Sequence, residues 1–139
     1  MRARALAALT LVGALASGGC VHYPTILEAG GTMLRPDKGR LVRLSEGAEV
    51  YFDLRSNGMY GDTVKSVVTP VARVAQLVDG KGQPLATYEL PGAKVIVFDA
   101  KGPHVVLKEL TRPLVPGESV IVTLMMDKSG GLGVIAVVE

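Results

Sequence analysis

The sequence predicts an all-β domain, a Greek-key β-sandwich of eight or nine short strands. Three observations predict it. Short Val-rich runs recur about every ten residues from Arg40 onward. Turn-forming pairs separate them, at Asn57-Gly58, Asp79-Gly80, Pro91-Gly92, Gly102-Pro103, Pro116-Gly117 and Gly130-Gly131. No segment after Cys20 repeats its apolar residues with a helical period, whereas several alternate with a period of two.

The N-terminus reads as an export signal. Arg2 and Arg4 are its basic start, Ala5 to Ala16 its apolar run, and Ser17, Gly18 and Gly19 its small-residue end. Those twelve apolar positions would rise only about 18 Å as a helix, short of a hydrocarbon core of about 30 Å. Cys20, the only cysteine, stands where the small residues end. This layout matches a bacterial lipoprotein signal, in which such a Cys is lipidated and becomes the N-terminus. The rival reading is cleavage after Ala14-Leu15-Ala16, which leaves Cys20 as a stray thiol. A lone Cys in an exported chain favours lipidation. The expected organisation is a signal peptide over 1–19, a lipid-anchored tether over 20–39 and a folded domain over 40–139. The expected location is the periplasm or cell surface, held to the membrane by its anchor. His22 is expected as a solvated tether residue. The tether carries Pro24, Gly30, Gly31, Pro36 and Gly39 and has room for one short strand.

The strands are expected over Arg40–Leu44, Glu49–Arg55, Thr63–Thr69, Arg73–Val78, Leu85–Leu90, Lys94–Asp99, Val105–Leu110, Ser119–Met126 and Val134–Val138. Val50, Phe52 and Leu54 alternate with Tyr51, Asp53 and Arg55, so one set faces a core. Val120, Val122, Leu124 and Met126 form a second apolar row, which turns Met125 outward. Val95 to Phe98 is apolar on both faces and reads as a central strand.

Composition limits the function. The chain has 139 residues, 48% of them apolar, enough for one domain with a Val/Leu core and no disulfide. A single Cys excludes an internal disulfide and a Cys-based zinc finger. A net charge of +2 does not point to nucleic acid. Loss of Arg2 and Arg4 with the signal would bring 15 basic residues down to 13, equal to the 13 acidic ones. The carboxylates Asp53, Asp62, Asp79, Asp99, Glu109 and Asp127 are scattered with no pair spaced for acid–base chemistry. Gly-x-Ser-x-Gly, His-Glu-x-x-His and phosphate-loop patterns are absent. No enzymatic activity is expected.

Several segments, in order, resemble the PCuAC family of periplasmic copper chaperones. They are Val50-Tyr51-Phe52-Asp53-Leu54, Asn57-Gly58, Thr69-Pro70-Val71-Ala72, Leu90-Pro91-Gly92, Gly102-Pro103-His104-Val105-Val106-Leu107, and Leu110-Thr111-Arg112-Pro113-Leu114 with Pro116-Gly117. The resemblance spans roughly Gly47 to Val138 and implies a cupredoxin-like sandwich, related in architecture to immunoglobulin-like domains. It also implies Cu(I) as cargo, bound by His and Met side chains and delivered to a copper-accepting envelope protein. Soft thioethers and neutral imidazoles suit that ion. Here the family's first His falls on Val78. Its His-x-Met pair becomes His104 and Val106, and no Met lies between Met59 and Met125 to supply the fourth ligand.

His104 is therefore the one metal candidate the resemblance implies, set against the reading of a loop imidazole bonded to a backbone group. As a strand-start residue it is expected outside the core. Met59, in the turn before Asp62, is a further candidate, either capping the sandwich edge or joining a site at the His104 end. The expected function is an envelope lipoprotein resembling a PCuAC chaperone with a degenerate Cu(I) site. The alternative is a metal-free β-sandwich module that binds another envelope protein.

Overall fold

Nine strands and no helix make up residues 33–139, the part described by the computed structural model. They are β1 (Leu34–Leu44), β2 (Gly47–Ser56), β3 (Asp62–Val68), β4 (Ala72–Val78), β5 (Tyr88–Leu90), β6 (Lys94–Phe98), β7 (His104–Leu110), β8 (Ser119–Met126) and β9 (Gly130–Val138). Residues 1–32, with Cys20 and His22, lie outside the description.

The strands pair in the order β4-β7-β2-β1-β9-β8-β3-β5, and β6 adds to β2 beside β7. Every pairing is antiparallel except β1 with β9. This single ladder curls so that the β4-β7-β2-β6 side faces the β9-β8-β3-β5 side. β1 belongs to both sides. It pairs with β2 before and after a bulge between Asp37 and Arg40, where Lys38 takes φ 54°, and it meets β9 at Arg40 and Leu41. An extra residue bends a strand and increases its twist, which lets one ladder form two packed faces.

The inner faces carry the predicted alternation. Val50, Phe52 and Leu54 from β2 pack with Val105 and Leu107 from β7 against Val120, Val122 and Leu124 from β8. Phe52 stacks on Phe98 at 4.4 Å, and Tyr88 meets Phe98 edge-on at 5.7 Å. Met126 is buried and Met125 faces out, as the β8 pattern requires.

Two expectations change. β1 begins at Leu34, so residues 34–39 belong to the folded body and not to a tether ending at 39. Pro36 and Gly39 sit inside the strand because the bulge absorbs the irregularity they bring. β6 is not a central strand. It bonds only to β2, with Phe98 turned inward and Val95 and Val97 about half exposed. A run of β-branched residues has the same composition on a solvent face as in a core, so the run alone could not place it.

The pole at the start of β1 is closed by Asp62. Its carboxylate accepts hydrogen bonds from the backbone N–H of Thr63 at 2.7 Å, Lys128 at 2.9 Å and Ser129 at 2.9 Å, and from the Ser129 hydroxyl at 2.6 Å. Burial alone would raise the Asp62 carboxyl, but these four donors outweigh it and hold the group below its ordinary value. A depressed carboxyl stabilises the fold above its unfolded pKa, near 4, and that contribution disappears as pH falls through the folded value. Asp62→Asn should cost about 1.5–3 kcal/mol in a denaturant melt at pH 7. The difference between variant and parent should shrink as the melts are repeated at falling pH below about 4.

Candidate metal centre

His104 opens β7 opposite Val78, the last residue of β4. Two turns cover it. Asp79 accepts from the N–H groups of Lys81 at 2.8 Å and Gln83 at 2.9 Å. Asp99 accepts from those of Lys101 at 3.1 Å and Gly102 at 2.8 Å. Each Asp thus folds its own turn, as Asx side chains do. The turns meet at Gly80, where a Cβ would collide with the Lys101 carbonyl oxygen. His104 beneath them is only 6% exposed.

The imidazole is fixed at one nitrogen. Nδ1–H donates to the Gly102 carbonyl at 3.0 Å. A carbonyl can only accept, so the proton is assigned to Nδ1. Nε2 points towards Glu49 Oε1 at 3.9 Å, too far for a hydrogen bond. The Tyr51 ring lies against the imidazole at 5.6 Å, tilted by 57°. Tyr51 donates its hydroxyl to Glu49 Oε2, and the Arg40 guanidinium lies 4.9 Å above the Tyr51 ring. Arg40 in turn reaches Glu139 Oε1 at 3.4 Å. A polar chain therefore runs along the outer face from Glu139 through Arg40, Tyr51 and Glu49 to His104.

The expectation that His104 stands outside the core needs correction. It turns away from the Val105 and Leu107 row, as alternation demands, yet it is buried, because the two Asx turns and Tyr51 roof that end of the sheet. The bond to a backbone group is present.

Three of the positions that the PCuAC resemblance marks as ligands converge on this face. Val78 is directly across from His104, and Val106 follows two residues along the same strand, across from Gln76 and Glu49. Only His104 among them carries a donor. Among the described residues no group of three His, Cys, Asp or Glu side chains could hold a metal ion. The further donors near His104 are the Glu49 carboxylate and the Tyr51 phenol, hard oxygens that suit Cu(I) poorly.

Met59 does not join His104. It sits beyond the Ser56 end of β2, whereas His104 packs on Tyr51, five residues back along the strand or about 17 Å away. Sequence reasoning also missed the Glu49, Tyr51 and Arg40 partners. The signal for two of them was there, since residues 49 and 51 of one strand share a face.

A family model described as "Putative lipoprotein LpqE-like" matches residues 42–138. The chain belongs to the LpqE-like family. No curated protein matches it. Among solved structures, the apo PCuAC domain from PmoF1 superposes with a TM-score of 0.70 at 23% identity, covering 80% of this chain and 95% of that one. The copper-bound PCuAC domain from PmoF2 gives 0.69 at 19% identity, covering 80% and 94%. The Cu(I) form of DR1885 from Deinococcus radiodurans gives 0.61 at 24% identity, covering 81% and 80%. At these identities the likeness establishes the PCuAC fold for this LpqE-like chain.

Tyr51 carries a measurable consequence of the site. Burial first, then its bond to the Glu49 carboxylate, push the phenol up to about 12. A raised tyrosine stabilises the fold below its unfolded pKa, about 10, and that contribution disappears as pH rises through the folded value. Stability should therefore fall between about pH 10 and 12 in the parent and fall less in Tyr51→Phe, as read by urea melts across that range.

Proposed function

We propose that this LpqE-like chain is an exported, lipid-anchored envelope protein of the PCuAC fold with a degenerate copper site. It contacts Cu(I) weakly, through His104 Nε2, and is not an enzyme. The observation that carries this reading is the pairing of Val78 with His104, with Val106 beside them, on the face where the family resemblance expects soft ligands. His104 keeps one feature of a ligand. Its Nδ1–H is tied to a carbonyl, which orients Nε2, as outer partners do for metal-bound imidazoles. One imidazole competes poorly with other chelators for Cu(I), so tight capture would need donors from a copper-accepting partner.

Competition with a Cu(I) chelator tests this on the chain from Val21 on, which contains the whole described fold. We expect weak binding that His104→Gln removes. Tight one-to-one binding that survives His104→Gln would overturn it. The second reading, a metal-free interaction module, is favoured by the apolar valines at two ligand positions, and it predicts no copper binding in the parent. His104→Ala is the poorer variant for this purpose. It empties a buried site and strands the Gly102 carbonyl, so it should cost about 1–3 kcal/mol in a denaturant melt.

Anchoring rests on Cys20 directly after the signal-like segment, together with membership of a family described as lipoproteins. Mass spectrometry of the membrane fraction should find a diacylglyceryl-modified N-terminus at Cys20. A soluble form starting at Ser17 would remove the lipoprotein reading.

A further inference from the structure

We infer that the pole of the sandwich at which the chain enters the fold is a docking surface for an anionic lipid bilayer. The inference goes beyond metal handling, and it rests on the lipoprotein reading only for the nearness of a membrane.

The first observation is uncompensated charge. Arg35 pairs with Arg55, and Arg55 with Val95, so one row crosses β1, β2 and β6 with Lys94 at its rim. Like charges directly opposite on neighbouring strands repel and destabilise the pair. Lys38, Arg40, Lys65 and Arg112 each have a carboxylate within 4.0 Å, whereas Arg35, Arg55 and Lys94 have none among the described residues. The other charges at this pole do not cancel them. Lys128 adds a positive charge, and Lys65 neutralises Asp127. Asp62 is buried under its four donors, which leaves Glu89 as the exposed acid at the rim; Asp37 and Asp53 face each other one step further in, with Asp53 held by Lys38 at 3.5 Å.

The second observation is an apolar tip in the same place. Met59 is 81% exposed, Tyr60 58% and Val95 54%. Their loop is held firmly. Asn57 N–H donates to the Met33 carbonyl at 2.8 Å, and Ala93 N–H to the Gly58 carbonyl at 2.9 Å. Gly61 passes so close to the Leu90 carbonyl oxygen that a Cβ would collide with it. A fixed loop that presents a thioether and a tyrosine amid arginine and lysine fits the bilayer interface. Tyr and apolar side chains enter the headgroup region there, and basic side chains meet lipid phosphates.

The third observation is where the chain leads. Met33 and Leu34 lie at this pole, against Asn57 and Ser56. Leu34 follows Cys20 by 14 residues, a span of at most about 50 Å even when fully extended. An anchor at Cys20 therefore keeps this pole within about 50 Å of the lipid surface. Three basic side chains at about fivefold each would raise the ratio of docked to undocked protein roughly a hundredfold on an anionic surface.

The chain contains no Trp, so one introduced Trp is a clean reporter. The full chain carrying Met59→Trp is expressed with export and mixed with phosphatidylcholine vesicles or with equimolar phosphatidylcholine–phosphatidylglycerol vesicles. A second chain carries Val115→Trp at the opposite pole. We expect a blue shift, and quenching by brominated lipid, for Met59→Trp on the anionic vesicles. We expect neither for Val115→Trp. Raised salt, or the combined Arg35→Glu, Arg55→Glu and Lys94→Glu changes, should abolish the response. An unchanged emission of Met59→Trp on anionic vesicles, the same response on phosphatidylcholine alone, or an equal response of Val115→Trp would overturn the inference. Flotation with phosphatidylcholine vesicles reads the anchor separately. A chain that fails to float there yet docks on anionic vesicles removes the lipoprotein reading and leaves this one standing.

Discussion

β2 is bonded to three strands at once, and the rest of the structure depends on that. Along one edge it runs beside β1 for its whole length. Along the other it holds β7 at Gly47 to Val50 and β6 at Phe52 to Ser56. Among the described strands no other has three partners. Its inner side chains Val50, Phe52 and Leu54 are fully buried and set the depth of the core. A strand with both edges occupied cannot slip by one residue without turning that row to solvent, so β2 fixes the register of all three neighbours.

The outer side chains of β2 then distribute the chemistry. Glu49 and Tyr51 reach the His104 end, Asp53 meets Lys38 at 3.5 Å in the middle, and Arg55 stands at the basic pole. Glu49 and Arg55 are six residues apart, about 20 Å along the strand. One face thus carries a buried imidazole site and a basic charge row, too far apart to share a ligand. That spacing is why Met59, open in the sequence to a place at the sandwich edge or at the His104 end, finds its neighbours at the other pole.

Most of the fold was legible in the sequence because strands announce themselves locally. Alternation in Val50 to Leu54 and Val120 to Met126, and the Asn-Gly, Asp-Gly and Pro-Gly turns, place nine strands without any knowledge of pairing. What needed the structure was non-local. The run Val95 to Val97 does not say whether a neighbour covers its second edge. Pro36 and Gly39 read as tether because a bulge is a property of two strands and not of one. The burial of His104 was hidden for the same reason. It depends on two Asx turns, separated by twenty residues, closing over one end of the sheet. Of the site, the absence of soft ligands was readable from Val78 and Val106, while the Arg40, Tyr51 and Glu49 chain was not.

The absence of soft ligands is compatible with an intact fold because the ligand positions, buried at Val78 and His104, face away from the packing between the two sides of the sandwich. Val78, His104 and Val106 share the face opposite Leu77, Val105 and Leu107, so their identities do not set the packing between the two sides of the sandwich. Valine there suits a strand better than methionine, since its β-branched side chain packs on a pleated surface. His104 differs from both valines. Its Nδ1–H bond to Gly102 and its burial against Tyr51 give it a structural reason to persist whether or not a metal is bound. The presence of this histidine therefore says little about copper, whereas the valine across from it says a good deal. The imidazole Nε2 faces a carboxylate oxygen at 3.9 Å, a hard donor and not the thioether that suits Cu(I).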